Sequence, residues 1–163
     1  MDQTHLHLLI THLPIFGSLL GSLVLGYAIW KKSTTTTLAA YYLLVISAVG
    51  AVIAYLTGEG AEETVENISG VSENIIEQHA DFAAYALVGL IIVGTLSLIG
   101  VFFQLTKSAF AKPLVTATLF MALISFILVA RTGYLGGQIR HTEIAAGATQ
   151  NIGEQGGDDH DDD

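Results

Sequence analysis

The chain has 163 residues, 52% of them hydrophobic and only 13% charged, with a mean hydropathy of +0.58; it is too apolar for a water-soluble domain of this size. The formal net charge of −9 argues against nucleic acid and against anionic lipid surfaces as partners. With no cysteine, the chain can hold no disulfide, thioether-linked group or cysteine-ligated iron–sulfur cluster.

A bilayer core takes about 20 apolar residues per helix. Four runs of that length occur, at 8–30, 38–57, 82–105 and 114–135. Such unbroken runs do not build a closed barrel. The expected fold class is therefore all-α: an integral membrane four-helix bundle in one transmembrane domain, residues 1–147, with an acidic disordered tail at 148–163.

The first run follows Met1-Asp2-Gln3 without a positive n-region and is too long for a signal-peptide core, so it reads as a retained span. Its mouth is HLHLLITHLPIFGSLLG, residues 5–21, with three imidazoles beside and inside the apolar run. Pro14 has no N–H for the carbonyl of Ile10, which predicts a kink or a helix start near His12. Gly17 and Gly21 in this span, and Gly50, Ala54 and Gly58 in the next, have the spacing that lets helix backbones approach closely. Tyr27 and Trp30 close span one, and Tyr41 and Tyr42 open span two, as an interfacial aromatic belt would.

Lys31 and Lys32 lie between spans one and two, Lys107 and Lys112 between spans three and four, and neither loop has an acid. The positive-inside rule predicts both loops in the cytoplasm and both termini outside. All 15 acidic residues and all 6 histidines then fall on the outer side. The expected location is a bacterial inner (cytoplasmic) membrane, with the functional end toward the periplasm or exterior.

In the second connection, GEGAEETVENISGVSENIIEQHAD, Val65, Ile68, Ser72, Ile75 and His79 recur at roughly helical spacing. Ser69-Gly70 reads as a break. Ser72 reads as an N-cap, with Glu73 in the first turn where the helix dipole favours an anion. The pattern predicts a short amphipathic helix in the outer loop, then one helix from about Ser72 through span three. His160 sits in the acidic tail.

With the spans side by side, His12 lies about 27 Å up span one from the inner face at 1.5 Å per residue, and Arg131 reaches a similar level in span four. His79 and His141 sit roughly one to three turns further out. Three histidines from three helices thus converge on one end of the bundle, where ionisable groups in a membrane are functional candidates. Small residues accompany them: Ala83 and Ala86 below His79, Gly137 beside His141, Gly17 and Gly21 after His12. Imidazoles next to missing side-chain volume suit bis-histidine ligation of a flat group, haem b, inside a four-helix bundle. Arg131 and Arg140, the only arginines, lie at the same end and match haem propionates. His5 and His7 read as interfacial; a second haem would need one of them as a fourth ligand.

The segment THLPIFGSLLG resembles the opening signature of the bacterial membrane family called domain of unknown function 2231. YLTGEGAEETV after span two, EQHADFA into span three and GYLGGQIRH after span four follow the same order. The resemblance covers nearly the whole chain. It points to His12 and Pro14, Thr57-Gly58, His79, and Gly136, Gly137 and His141; the family's frequent histidine–proline pair reads His7-Leu8 here. Fusion of some members of that family to Rieske-type domains implies electron transfer.

Three readings stay open. The leading one is a b-type cytochrome with one or two haems held by His12, His79 and His141, with Arg131 and Arg140 on the propionates, passing electrons between a membrane donor and an outer-side partner. The second is a metal site without porphyrin, using His12, His79 and His141, with His7 as a weaker candidate, beside Glu77, Asp81 and Glu143, for Zn, Cu or Fe. The third is a cofactor-free accessory subunit of a larger respiratory complex. No Ser-His-Asp arrangement marks a hydrolase, and an electron-transfer protein or subunit is expected rather than a stand-alone enzyme.

Overall fold

The computed structural model describes residues 3–66 and 72–155, with side chains at 5–58, 60, 72–139 and 141. Five helices follow in order: α1 (Gln3–Ile10), α2 (His12–Lys31), α3 (Thr34–Glu66), α4 (Glu73–Leu105) and α5 (Ala111–Gln155). There is no strand among the described residues. Four segments are long and apolar enough to cross a membrane: His5–Lys31, Thr34–Gly58, Glu73–Leu105 and Ala111–Ile139. The architecture is that of a multi-pass membrane protein.

α1 and α2 make one span: Thr11 between them keeps helical φ −60° and ψ −21°, and its N–H still reaches the His7 carbonyl at 3.0 Å, while Pro14 has no N–H for the Ile10 carbonyl. The Pro14 carbonyl instead accepts hydroxyls from two helices, Ser18 on α2 and Ser47 on α3, the latter at 3.2 Å. The helix from Ser72 through span three forms as the spacing predicts. Ser72 holds the N-cap place with extended φ −81° and ψ 112°, but its side chain makes no capping bond.

Two helices run past the bounds expected of them. The helix expected to stand alone in the outer connection does not do so among the described residues, because α3 continues without interruption to Glu66; Ile68, Ser69 and Gly70 lie outside the described residues. The 147/148 boundary falls inside α5, which runs on to Gln155; His160 lies outside the described residues.

Both tight connections close the same way. After α2, Lys32 takes a left-handed φ of 53° while Ser33 N–H reaches back to the Ala28 carbonyl at 3.1 Å. After α4, Lys107 takes φ 52° while Ser108 N–H reaches the Phe103 carbonyl at 3.0 Å. Each is a Schellman turn with lysine at the left-handed position. Lys31 lies over Trp30, its ammonium 4.2 Å from the ring centroid. These connections define a lysine end of the bundle, and His7 and His79 mark the other.

The interior changes along the axis. Toward the lysine end it is filled by Leu25, Tyr41, Leu44 and Val93, all fully buried. Toward the histidine end the core shrinks to Ala48, Ala51 and Ala86 around Leu90. Large apolar side chains such as Phe16, Leu56, Phe120 and Ile127 face outward, as lipid-facing residues do.

Candidate functional site

Where the core thins to alanine, a half-enclosed cavity of about 760 Å³ opens between the helices. That volume is in the range of roughly 300–1,000 Å³ usual for cofactor and ligand sites. Its wall is mostly apolar: Ala51, Ala54, Ala83, Gly133, Gly136 and Gly137 alternate with larger side chains such as Ile15, Ile76, Leu87 and Leu90. The polar groups on it are few: His7, Thr11, His12, Tyr55, His79 and Thr132.

Two of its histidines are fixed alike. His7, on α1, donates from Nδ1 to the Ala54 carbonyl of α3 at 2.8 Å. His79, on α4, donates from Nδ1 to the Thr132 carbonyl of α5 at 3.0 Å. A carbonyl only accepts, so the proton of each neutral ring is on Nδ1 and the lone pair is on Nε2. Metal-ligating histidines are commonly held this way, with the far nitrogen anchored on a carbonyl. Both rings are half-buried.

The likeness extends along both hairpins. Ten residues after each histidine comes a glycine, Gly17 and Gly89. Each packs against a serine of the partner helix; a Cβ would stand 2.8 Å from Ser47 Cβ at Gly17 and 2.7 Å from Ser125 Oγ at Gly89. Seven residues after each serine is the carbonyl that receives the imidazole, Ala54 and Thr132. Four further on is a glycine beside the ring: a Cβ would lie 3.4 Å from His7 Cε1 at Gly58 and 3.1 Å from His79 Cε1 at Gly136. The Lys32-Ser33 and Lys107-Ser108 turns match as well. The two hairpins thus repeat one layout, α1–α3 in the first and α4–α5 in the second, with one histidine from each on the shared cavity.

The other expected residues lie elsewhere. His12 is exposed at the cavity rim, its Nδ1 on the Leu8 carbonyl at 2.9 Å and its ring stacked on Phe16 at a centroid distance of 6.1 Å. Arg131 is exposed and lies over Phe82 and Tyr134, 5.6 and 5.5 Å from their centroids, rather than on the cavity wall. His141 is exposed on α5 and is not among the cavity residues. Arg140 continues the α5 backbone, and its side chain is not described. Of the histidines proposed together from the sequence, His79 is brought to the wall, His12 to the rim and His141 to neither; His7 takes the place facing His79's half. The signal that finds His7 is the repeated histidine–glycine spacing shared with His79.

Among the described residues no three or more His, Cys, Asp or Glu side chains gather as a metal-holding group. A zinc-type site needs at least three protein ligands, whereas haem needs two at most, its ring nitrogens supplying the rest. Compared with family models, with curated proteins and with solved structures, the chain finds no match, so its resemblance to the four-span family rests on the quoted motifs alone.

Proposed function

We propose that the protein is a membrane b-type cytochrome holding one haem in the cavity between His7 and His79. The observation that carries the reading is the matched pair of Nδ1–carbonyl bonds, which leaves an Nε2 lone pair on each hairpin. The alanines and glycines on the wall support it, since a flat macrocycle needs space without side chains. A haem held there supplies one-electron transfer. The protein's part is to fix both imidazoles and to keep water from the ring. The metal-only reading is less favoured, because no group of three His, Cys, Asp or Glu side chains gathers among the described residues.

The lysine end faces the cytoplasm and the histidine end faces outward, by the positive-inside rule. The protein then sits in a bacterial inner membrane with both termini outside, and electrons pass from a membrane donor to an acceptor on the outer side, within a larger complex or through a soluble partner.

The test is an absorption spectrum of the detergent-purified protein, oxidised and then reduced with dithionite. Sharp α and β bands on reduction, lost in both His7→Ala and His79→Ala and kept in His141→Ala, are expected. A preparation that stays colourless after haem is supplied during expression overturns the reading.

A further inference from the structure

The repeated layout serves as an internal control for one patch outside the cavity. With His7 matched to His79 and Ala54 to Thr132, the first hairpin has Ile10, Leu13, Ile53 and Leu56 where the second has Phe82, Tyr85, Arg131 and Tyr134. Exposure agrees at each place: Ile10 and Phe82 are half-buried, and the other three pairs are exposed. The layout itself therefore needs only aliphatic side chains there. In the second hairpin the same four places carry a guanidinium and three aromatic rings, and none of the four lines the cavity.

These four side chains form one cluster. The Arg131 guanidinium carbon lies 5.6 Å from the Phe82 ring centroid and 5.5 Å from that of Tyr134. Phe82 meets Tyr85 edge to face, at 6.3 Å between centroids and an interplanar angle of 87°. Aromatic faces attract the cation but supply no acceptor oxygen for its N–H groups. Among the described residues Arg131 has neither an ion pair nor a hydrogen bond.

The depth of Arg131 makes that state costly. It is eight residues before the end of the span Ala111–Ile139, about 12 Å at 1.5 Å per residue. At 29 residues the span is about 43 Å long, against roughly 30 Å of hydrocarbon, so Arg131 stands near the hydrocarbon's edge. A cation there calls for an anion within reach of its side chain.

We propose that Arg131, framed by Phe82 and Tyr134, binds the phosphodiester of a bilayer phospholipid at the histidine end. The guanidinium gives two parallel hydrogen bonds to two phosphate oxygens. Ile127, Ile124 and Phe120, all exposed, continue the same face of α5 toward the lysine end and lie along one acyl chain. Asp81 is exposed one residue before Phe82 and one turn outward from Tyr85, and the whole chain carries a net charge of −9. Both disfavour a lipid of net negative charge and favour a headgroup that adds an ammonium to its phosphate, as phosphatidylethanolamine does. The site is separate from the cavity and does not rest on the haem reading.

The test is native mass spectrometry of the full-length, delipidated protein in detergent, titrated with phosphatidylethanolamine and with phosphatidylglycerol of the same acyl chains. Saturable binding of one lipid is expected, at least severalfold tighter for the ethanolamine lipid. Arg131→Ile and Tyr134→Leu replace the cluster by aliphatic side chains like those at the matching places of the first hairpin, so both variants should fold. Binding should weaken about tenfold in Arg131→Ile, the equivalent of one charge-assisted hydrogen bond, less in Tyr134→Leu, and not at all in Lys31→Gln at the other end. No saturable binding, binding unchanged in Arg131→Ile, or an equal loss in Lys31→Gln overturns the site. A preference for the glycerol lipid overturns the ammonium-bearing headgroup.

Discussion

His7 and His79 hold equivalent places in two repeated hairpins: each donates from Nδ1 to a carbonyl of its partner helix, at Ala54 and Thr132, and each ring lies beside the glycine one turn further on. The fit is tighter on the second half. A methyl at Gly136 would stand 3.1 Å from His79 Cε1, against 3.4 Å from His7 Cε1 at Gly58. Gly136→Ala should therefore shift the His79 ring, with a strain of roughly 1 kcal/mol and a loss of about fivefold in haem affinity. Gly58→Ala makes an ordinary contact and should leave affinity unchanged. Haem titration of the two apoproteins compares them directly; equal affinities would contradict the geometry.

Pro14 bears on the site. Without an N–H at Pro14, the Ile10 carbonyl loses its helix partner, and the turn that carries His7 packs on α3, with His7 on the Ala54 carbonyl. Pro14→Ala restores the bond to the Ile10 carbonyl and favours one straight helix. Thermal stability should hold or rise, by up to about 3 kcal/mol from helix propensity, less whatever packing is lost beside Gly50. The low-spin bis-histidine signature should weaken, because His7 swings away from α3. Electron paramagnetic resonance of the oxidised variant reads that change.

The spans were legible because apolar length is a one-dimensional signal: four runs of bilayer length leave few alternatives, and Ser72 and Pro14 mark local boundaries by chemistry that acts within a turn. The continuation of α3 to Glu66 was not, because the apolar run of span two ends at residue 57, yet the helix passes on through Gly58 and Gly60. The site was half legible. His79 was found from its alanine neighbours. His7 looked interfacial, because whether a histidine near the end of a span faces lipid or cavity depends on how the helix is turned about its axis. The likeness of the two hairpins was hidden because few identities carry it: Gly21 faces Leu44 in one where Val93 and Ala122 share a core cluster in the other, a small–large exchange that preserves volume. Arg131 was placed at the right level, but its direction around α5 sends it to Phe82 and Tyr134.

Two other glycines separate close packing from open space. At Gly100 an added Cβ would overlap the Tyr41 ring, whose residue is fully buried. Gly100→Ala should destabilise the bundle by about 1–3 kcal/mol, since a rigid ring in a filled core cannot give way cheaply. Gly26→Ala, with nothing within 4 Å of the new methyl, should stabilise by up to about 1 kcal/mol through helix propensity. Thermal unfolding in one detergent measures both; the same sign for the two would show that the packing near Tyr41 is looser than described.

The turns offer the last test of the repeat. Lys32 and Lys107 occupy left-handed backbone at φ 53° and 52°, a region that disfavours any residue with a Cβ. Glycine there removes the strain at the price of some entropy in the unfolded chain. Lys32→Gly and Lys107→Gly should each stabilise by about 1 kcal/mol, and by equal amounts, because the two turns share one hydrogen-bond pattern. Lys31 and Lys112 remain to keep a positive charge at each connection, so orientation should be unchanged. Unfolding midpoints, with protease accessibility of the termini in sealed vesicles, check both halves of the expectation. A large stabilisation at one turn and none at the other would mean that the two connections are not the matched pair that the repeated layout requires.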